Sequence, residues 1–118
     1  MGITELLRWQ WEGYARYHST RFNLLLHIVV VPLFLVGNLV LIVALLKGSW
    51  AVAVGSAIAM AVSMALQGRV HRREPMPPEP FTGAQNALSR IFFEQWATFP
   101  RFVASGGWLR ALRHARAA

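Results

Sequence analysis

The residues with chemical capacity in this chain are three histidines and a few carboxylates, set at the edges of long apolar runs. Tyr14-Ala-Arg-Tyr17-His18-Ser-Thr-Arg-Phe-Asn23-Leu-Leu-Leu-His27 leads directly into Ile-Val-Val-Val-Pro32. His71 and Glu74 follow a second apolar run. Ionisable groups beside lipid are costly to keep there, which makes each a functional candidate. Imidazoles with a carboxylate suit Fe, Zn or Mn, and such a set with open positions is the pattern of non-haem iron oxygenases. Glu74 follows His71 by three residues, so a helical turn puts both on one face. Asn23 and His27 are spaced i, i+4, which positions Asn23 to orient the His27 ring. Tyr14 and Tyr17 lie at the same level, where a phenol can hydrogen-bond a ligand or substrate. His114, in a basic tail, reads as a surface residue. The chain lacks cysteine, which excludes thiolate chemistry and disulfides, and it has no HExxH motif.

These residues need elements to bring them together, and the composition says which. The 118 residues suffice for one domain; 55% are apolar and only 14% charged. A soluble domain carries about 25% charged residues, so the balance points to lipid. Eleven Arg and one Lys against five acids make the net charge +7. The cations flank apolar runs instead of forming one patch, which favours a membrane partner over nucleic acid.

Residues 3–18 show helical spacing of Ile3, Leu7, Trp11, Tyr14 and His18, with Thr4 a candidate cap. They predict an amphipathic helix lying at the membrane interface. Leu24 to Leu46 contains no charge apart from the titratable His27. Its 23 residues reach about 34 Å as a helix, enough to cross ~30 Å of hydrocarbon. Pro32 inside it predicts a kink, and Asn38 an interhelical hydrogen bond. Lys47-Gly-Ser49 is a tight connection, and a second span runs over 50–68. Ala51, Gly55, Ala59 and Ser63 form a small-residue seam on it, suited to close approach of another helix.

Residues 75–83, rich in Pro, predict an extended strap; 86–104 a second amphipathic helix with Leu88, Ile91, Phe92, Trp96, Phe99 and Val103 on one side; and 108–116 a basic amphipathic tail. The expected fold is therefore an all-α membrane protein: a two-span transmembrane helical hairpin with N- and C-terminal interfacial helices, in one domain over 1–118. Antiparallel spans bring His18, His27 and His71 to the same end of the bundle. Arg8, Arg16 and Arg21 precede the first span and Arg69, Arg72 and Arg73 follow the second, so both termini are expected on the cytoplasmic side.

The run Tyr14-x-x-Tyr17-His18-x-x-x-x-Asn23-x-x-x-His27-x-x-x-Val31-Pro32, with Gln67-x-x-x-His71 and Glu74-Pro75 after it, resembles the signatures of a small membrane family. That family is typified by the fungal 2-hydroxy fatty acid dioxygenase. The resemblance covers about half the chain. It implies an integral membrane protein of the endoplasmic reticulum or the bacterial inner membrane. It implies Fe(II) and O2, and α-oxidation of a long-chain 2-hydroxy fatty acid with loss of one carbon. Its iron ligands carry over as His18, His27 and His71. Glu74 follows His71 by three residues where the family has four, which leaves Glu94 as a rival carboxylate. Tyr14 and Asn23 are expected at the reacting centre, and Arg69, Arg72 or Arg73 at the substrate carboxylate. Two spans make a thin bundle, so the long helices outside them, or a second copy of the chain in a homo-oligomer, must cover the ligands. The competing expectation is a non-enzymatic membrane scaffold or small subunit, paired through the seam and holding anionic lipid at its basic ends.

Overall fold

The computed structural model describes residues 2–115; Arg116 of the expected basic tail lies outside them. Those residues form helices and connections, with no β-strand. Helix α1 covers Ile3–Tyr17, α2 Arg21–Lys47 and α3 Trp50–His71. After the extended segment come α4 (Ala84–Phe93), a π-helical turn (Glu94–Thr98), α5 (Phe99–Ala104) and α6 (Gly107–Arg113).

Local chemistry sets these boundaries. Gly2 caps α1 without a side-chain bond, so the Thr4 cap is not used. Thr20 caps α2, its hydroxyl accepting from the Asn23 N–H. Gly48 ends α2 at φ 70°, a left-handed conformation that costs glycine little. Helix α2 continues through Pro32. Helix α3 runs three residues past 68 and carries His71 on its last turn.

Helices α2 and α3 pack along one another, with Gly37 against Met60 and the Ser63 hydroxyl donating to the Val30 carbonyl at 2.6 Å. Residue numbers thus rise along one helix as they fall along the other. The face of α3 turned inward carries Ala53, Ser56, Ser63, Gln67 and Val70. Of the small-residue seam only Ser63 is in this face; Ala51 and Gly55 are exposed. The close approach is made instead by Ala53, Ser56 and Ser63, with Met60 against Gly37.

Both α2 and α3 are long and apolar enough to cross a membrane. Only 28% and 17% of their most apolar windows is buried, whereas the core helix of a soluble protein is mostly covered. The exposed set includes Val29, Leu39, Ile42, Leu46, Val54 and Ile58. The interior mixes apolar residues such as Leu24, Val31, Phe34, Phe99 and Phe102 with many polar ones, among them Gln10, Asn23, His27, Ser63, Gln67, Gln95 and Thr98.

That polarity also corrects the face expected for 86–104. Leu88 and Phe92 of that face are exposed, and Gln95, Thr98 and Phe102 outside it are buried; Phe99, a member of it, is buried. The π turn adds residues per turn and rotates the segment after it, so a uniform 3.6-residue reading fails there. Asn38 accepts from the Trp96 indole at 3.3 Å, the interhelical bond its position predicted. Part of the basic tail is also an anchor. Trp108 on α6 donates to the Leu24 carbonyl at 2.9 Å and packs on the Tyr14, Leu24, Val31, Phe99 and Phe102 core.

Candidate metal centre

Three rings and one carboxylate converge where α1, α2, α3 and the π turn meet. His18 follows the end of α1, His27 lies in the second turn of α2, His71 ends α3 and Glu94 opens the π turn. One ligand atom from each of the four falls within 4.8 Å of the other three. The ring centroids are 4.7 Å (His18–His27), 4.5 Å (His18–His71) and 4.9 Å (His27–His71) apart, with planes 81–89° from one another. A single chain supplies all four groups.

The hydrogen bonds of each ring decide its chemistry. His18 Nδ1 is 2.8 Å from the Tyr14 carbonyl and His27 Nδ1 is 3.1 Å from the Asn23 carbonyl. A carbonyl only accepts, so these nitrogens carry the proton and Nε2 keeps its lone pair. The opposite nitrogens, His18 Nε2, His27 Nε2 and His71 Nδ1, are buried without a partner. Three buried, unpaired acceptors facing one another are expensive unless something electron-poor sits between them. Backbone bonds of the kind that orient His18 and His27 from the far side of the ring are the usual support of a metal ligand.

Burial, with the neighbouring His27 and His71, drives the His18 pKa well below its ordinary value, which keeps this ring neutral. Burial pushes Glu94 up to about 7 against the opposing pull of Arg90 and Gln95. Its Oε2 is 4.0 Å from His27 Nε2. The set is thus a hard oxygen and three borderline nitrogens, which fits a divalent first-row transition ion.

Glu74 does a different job from the one its spacing suggested. Its carboxylate accepts from the Ser19 N–H (2.8 Å), the Ser19 hydroxyl (3.0 Å), the Thr20 N–H (3.1 Å), the Thr20 hydroxyl and the Asn23 amide (2.9 Å). It therefore fastens the end of α3 to the α1–α2 junction. Because α3 ends at His71, Glu74 lies beyond the helix and does not share that residue's face. Burial raises its pKa, but the Thr20, Ser19 and Asn23 donors outweigh this and bring it below 4.5. Glu94 takes the place expected of Glu74. Asn23 belongs to the same clamp: its side chain binds Glu74, and its backbone carbonyl orients His27.

Tyr14 does stand at the centre. Its ring stacks on His18 with centroids 3.9 Å apart and planes 7° apart. Its hydroxyl is buried without a partner, and burial together with Glu94 holds its pKa well above the usual phenol value.

A cavity of about 230 Å³ lies against the cluster, between Tyr14, His18, His71 and Glu94 on one side and Trp9, Met64, Phe81 and Ile91 on others. Arg69, Arg72 and Arg73 are exposed and do not line it; the cation in its wall is Arg90. The inward stripe of α3 ends at Val70, so the arginines around it turn outward.

Sequence reasoning missed the amide lattice beneath the cavity. Gln67 and Gln95 exchange amide bonds at 3.0 and 2.8 Å, and Gln67 also donates to Ser63 at 3.0 Å. Gln10 accepts from Thr98 at 2.7 Å and donates to the Arg90 carbonyl at 2.9 Å. Isolated amides within apolar helices were the available signal.

No protein-family model, curated protein or solved structure matches this chain.

Proposed function

We propose that the chain is an Fe(II)-dependent membrane dioxygenase that acts on long-chain 2-hydroxy fatty acids by α-oxidation, removing one carbon. The observation that carries this reading is the convergence of three unpaired imidazole nitrogens with Glu94. His18, His27, His71 and Glu94 would hold the ion. Bound iron supplies the electron chemistry by which ground-state O2 reacts with an organic substrate. The chain's own groups do the rest. The Tyr14 and Asn23 backbone carbonyls orient the His18 and His27 rings. The unpartnered Tyr14 hydroxyl donates to an oxygen of the bound substrate. The cavity's apolar lining excludes water and receives the start of an acyl chain.

The substrate class rests on this lining and on the resemblance of the Tyr14–Pro32 and Gln67–Pro75 runs. Helices α2 and α3 form the transmembrane hairpin, α1 and the 84–113 region lie at the interface, and both termini face the cytoplasm of a bacterial inner membrane. The lipid-facing apolar surface and partly polar interior support this arrangement.

The test is elemental analysis of the purified protein together with turnover of 2-hydroxypalmitate under O2. Iron near one ion per chain and a C15 product support the reading. Absence of any bound transition metal after anaerobic addition of Fe(II), with no chain-shortened product, overturns it.

A further inference from the structure

Arg90 is a cation that the fold braces and that, among the described residues, makes no ion pair within 4.0 Å, although Glu94 and Glu79 lie near enough to act on its charge. Its guanidinium lies 5.0 Å from the Trp9 ring centroid and 4.5 Å from that of Phe81, so aromatic faces brace it. Nη2 donates to the Glu79 carbonyl at 2.9 Å, and Nη1 to the Pro80 carbonyl at 3.2 Å and the Asn86 side chain at 3.5 Å. Nη2 carries two N–H groups and makes one of those bonds, so one of its N–H groups remains. Among the described residues, Nε has no partner, and no carboxylate forms an ion pair with the group. A guanidinium offers five N–H donors in a planar fork, and the edge formed by Nε and Nη2 matches the two oxygens of a carboxylate.

The surroundings narrow the ligand. Arg90 shares the cavity wall with His71, Glu94, Trp9, Phe81, Met64 and Ile91. Two acids, Glu79 and Glu94, also line this space. Glu79 is exposed and spends its backbone, not its carboxylate, on Arg90. Glu94 belongs to the metal cluster. Neither satisfies the free edge.

We propose that Arg90 anchors the carboxylate of an acyl-chain acid in this cavity, with the chain against the apolar wall, and so selects acids over neutral lipids of the same length. The assignment rests on reading the cavity as the substrate site. It does not depend on which ion the cluster holds.

Binding of palmitate and of hexadecanol to the purified protein in nanodiscs, by displacement of a fluorescent fatty acid, tests it. The measurement compares wild type, Arg90→Gln and Arg90→Lys, with metal content read on the same samples. Arg90→Gln is expected to weaken palmitate by about tenfold or more, the scale of a charge-assisted bond. Hexadecanol should change by less than about twofold. Arg90→Lys, which keeps the charge but loses the fork, should fall between.

Equal palmitate affinity in wild type and Arg90→Gln overturns the assignment, and so does no binding of palmitate to wild type. Parallel loss of both ligands in Arg90→Gln also overturns it, because the residue would then only pin the strap. Unchanged metal content beside a selective loss of palmitate separates this result from a failure of the metal centre.

Discussion

His18 and His27 stand edge to face, 4.7 Å apart, and each spends one nitrogen on the backbone carbonyl four residues before it. The same local device is used twice, at the end of one helix and the start of the next. It fixes both rings in the tautomer that turns a lone pair toward the other. Removing either ring, or His71, takes away one candidate ligand and leaves the other two in place. His18→Ala, His27→Ala and His71→Ala are each expected to lower metal affinity by at least about tenfold, the lower end of what even supporting residues cost. Metal titration of purified variants reads this, and full retention of metal in all three would sink the centre.

The two carboxylates should separate cleanly. Glu94→Gln is expected to lose metal affinity with little change in thermal stability, because among the described residues the Glu94 carboxylate accepts one hydrogen bond, a 3.4 Å bond from Gln95, which a Gln side-chain oxygen can also accept. Glu74→Gln should keep the ligand set and lose stability, by about 3 kcal/mol, since several donors aim at that buried carboxylate. Unfolding in detergent and metal content, measured on both variants, distinguish the roles; the reverse pattern refutes this division.

The clamp also carries a pH dependence. Donors depress the Glu74 pKa in the folded protein relative to 4.5, so the unfolded chain takes up its proton first as pH falls. The stabilisation is therefore complete above about pH 5 and is lost below, as pH drops through the folded value. The stability gap between wild type and Glu74→Gln should shrink from pH 7 to pH 4. A gap that stays constant over that range contradicts the assignment.

The reciprocal Gln67–Gln95 pair ties α3 to the π turn that presents Glu94. Truncation of one partner leaves a buried amide unpaired, at a cost of about 1–3 kcal/mol. Gln67→Ala is expected to lower the unfolding midpoint, while Gln67→Ala with Gln95→Leu should recover part of the loss. A double variant no better than the single one argues against pairing as the cause.

Topology can be read directly because the chain has no native cysteine. A cysteine at Ser49 should react with an impermeant thiol reagent from the outer face of intact cells, and one at Arg72 only after the membrane is opened. Both reacting from the same side would exclude the hairpin arrangement.

The sequence by itself determined the two long apolar helices, because only a helix lets a single apolar run of this length satisfy its backbone within itself. It also singled out His18, His27 and His71, since ionisable residues at such positions stand out against apolar neighbours. It could not choose between Glu74 and Glu94. That choice depended on where α3 stops and on the π turn, and neither leaves a period in the sequence. The inward face of the 84–104 region was hidden for a related reason. Where lipid can solvate apolar side chains, hydrophobic periodicity no longer reports burial, and amides that must pair turn inward instead. Only tertiary structure set Arg90 rather than Arg69, Arg72 or Arg73 in the cavity wall. A cation's place there is decided by the rings of Trp9 and Phe81, which lie 81 and nine residues away along the chain.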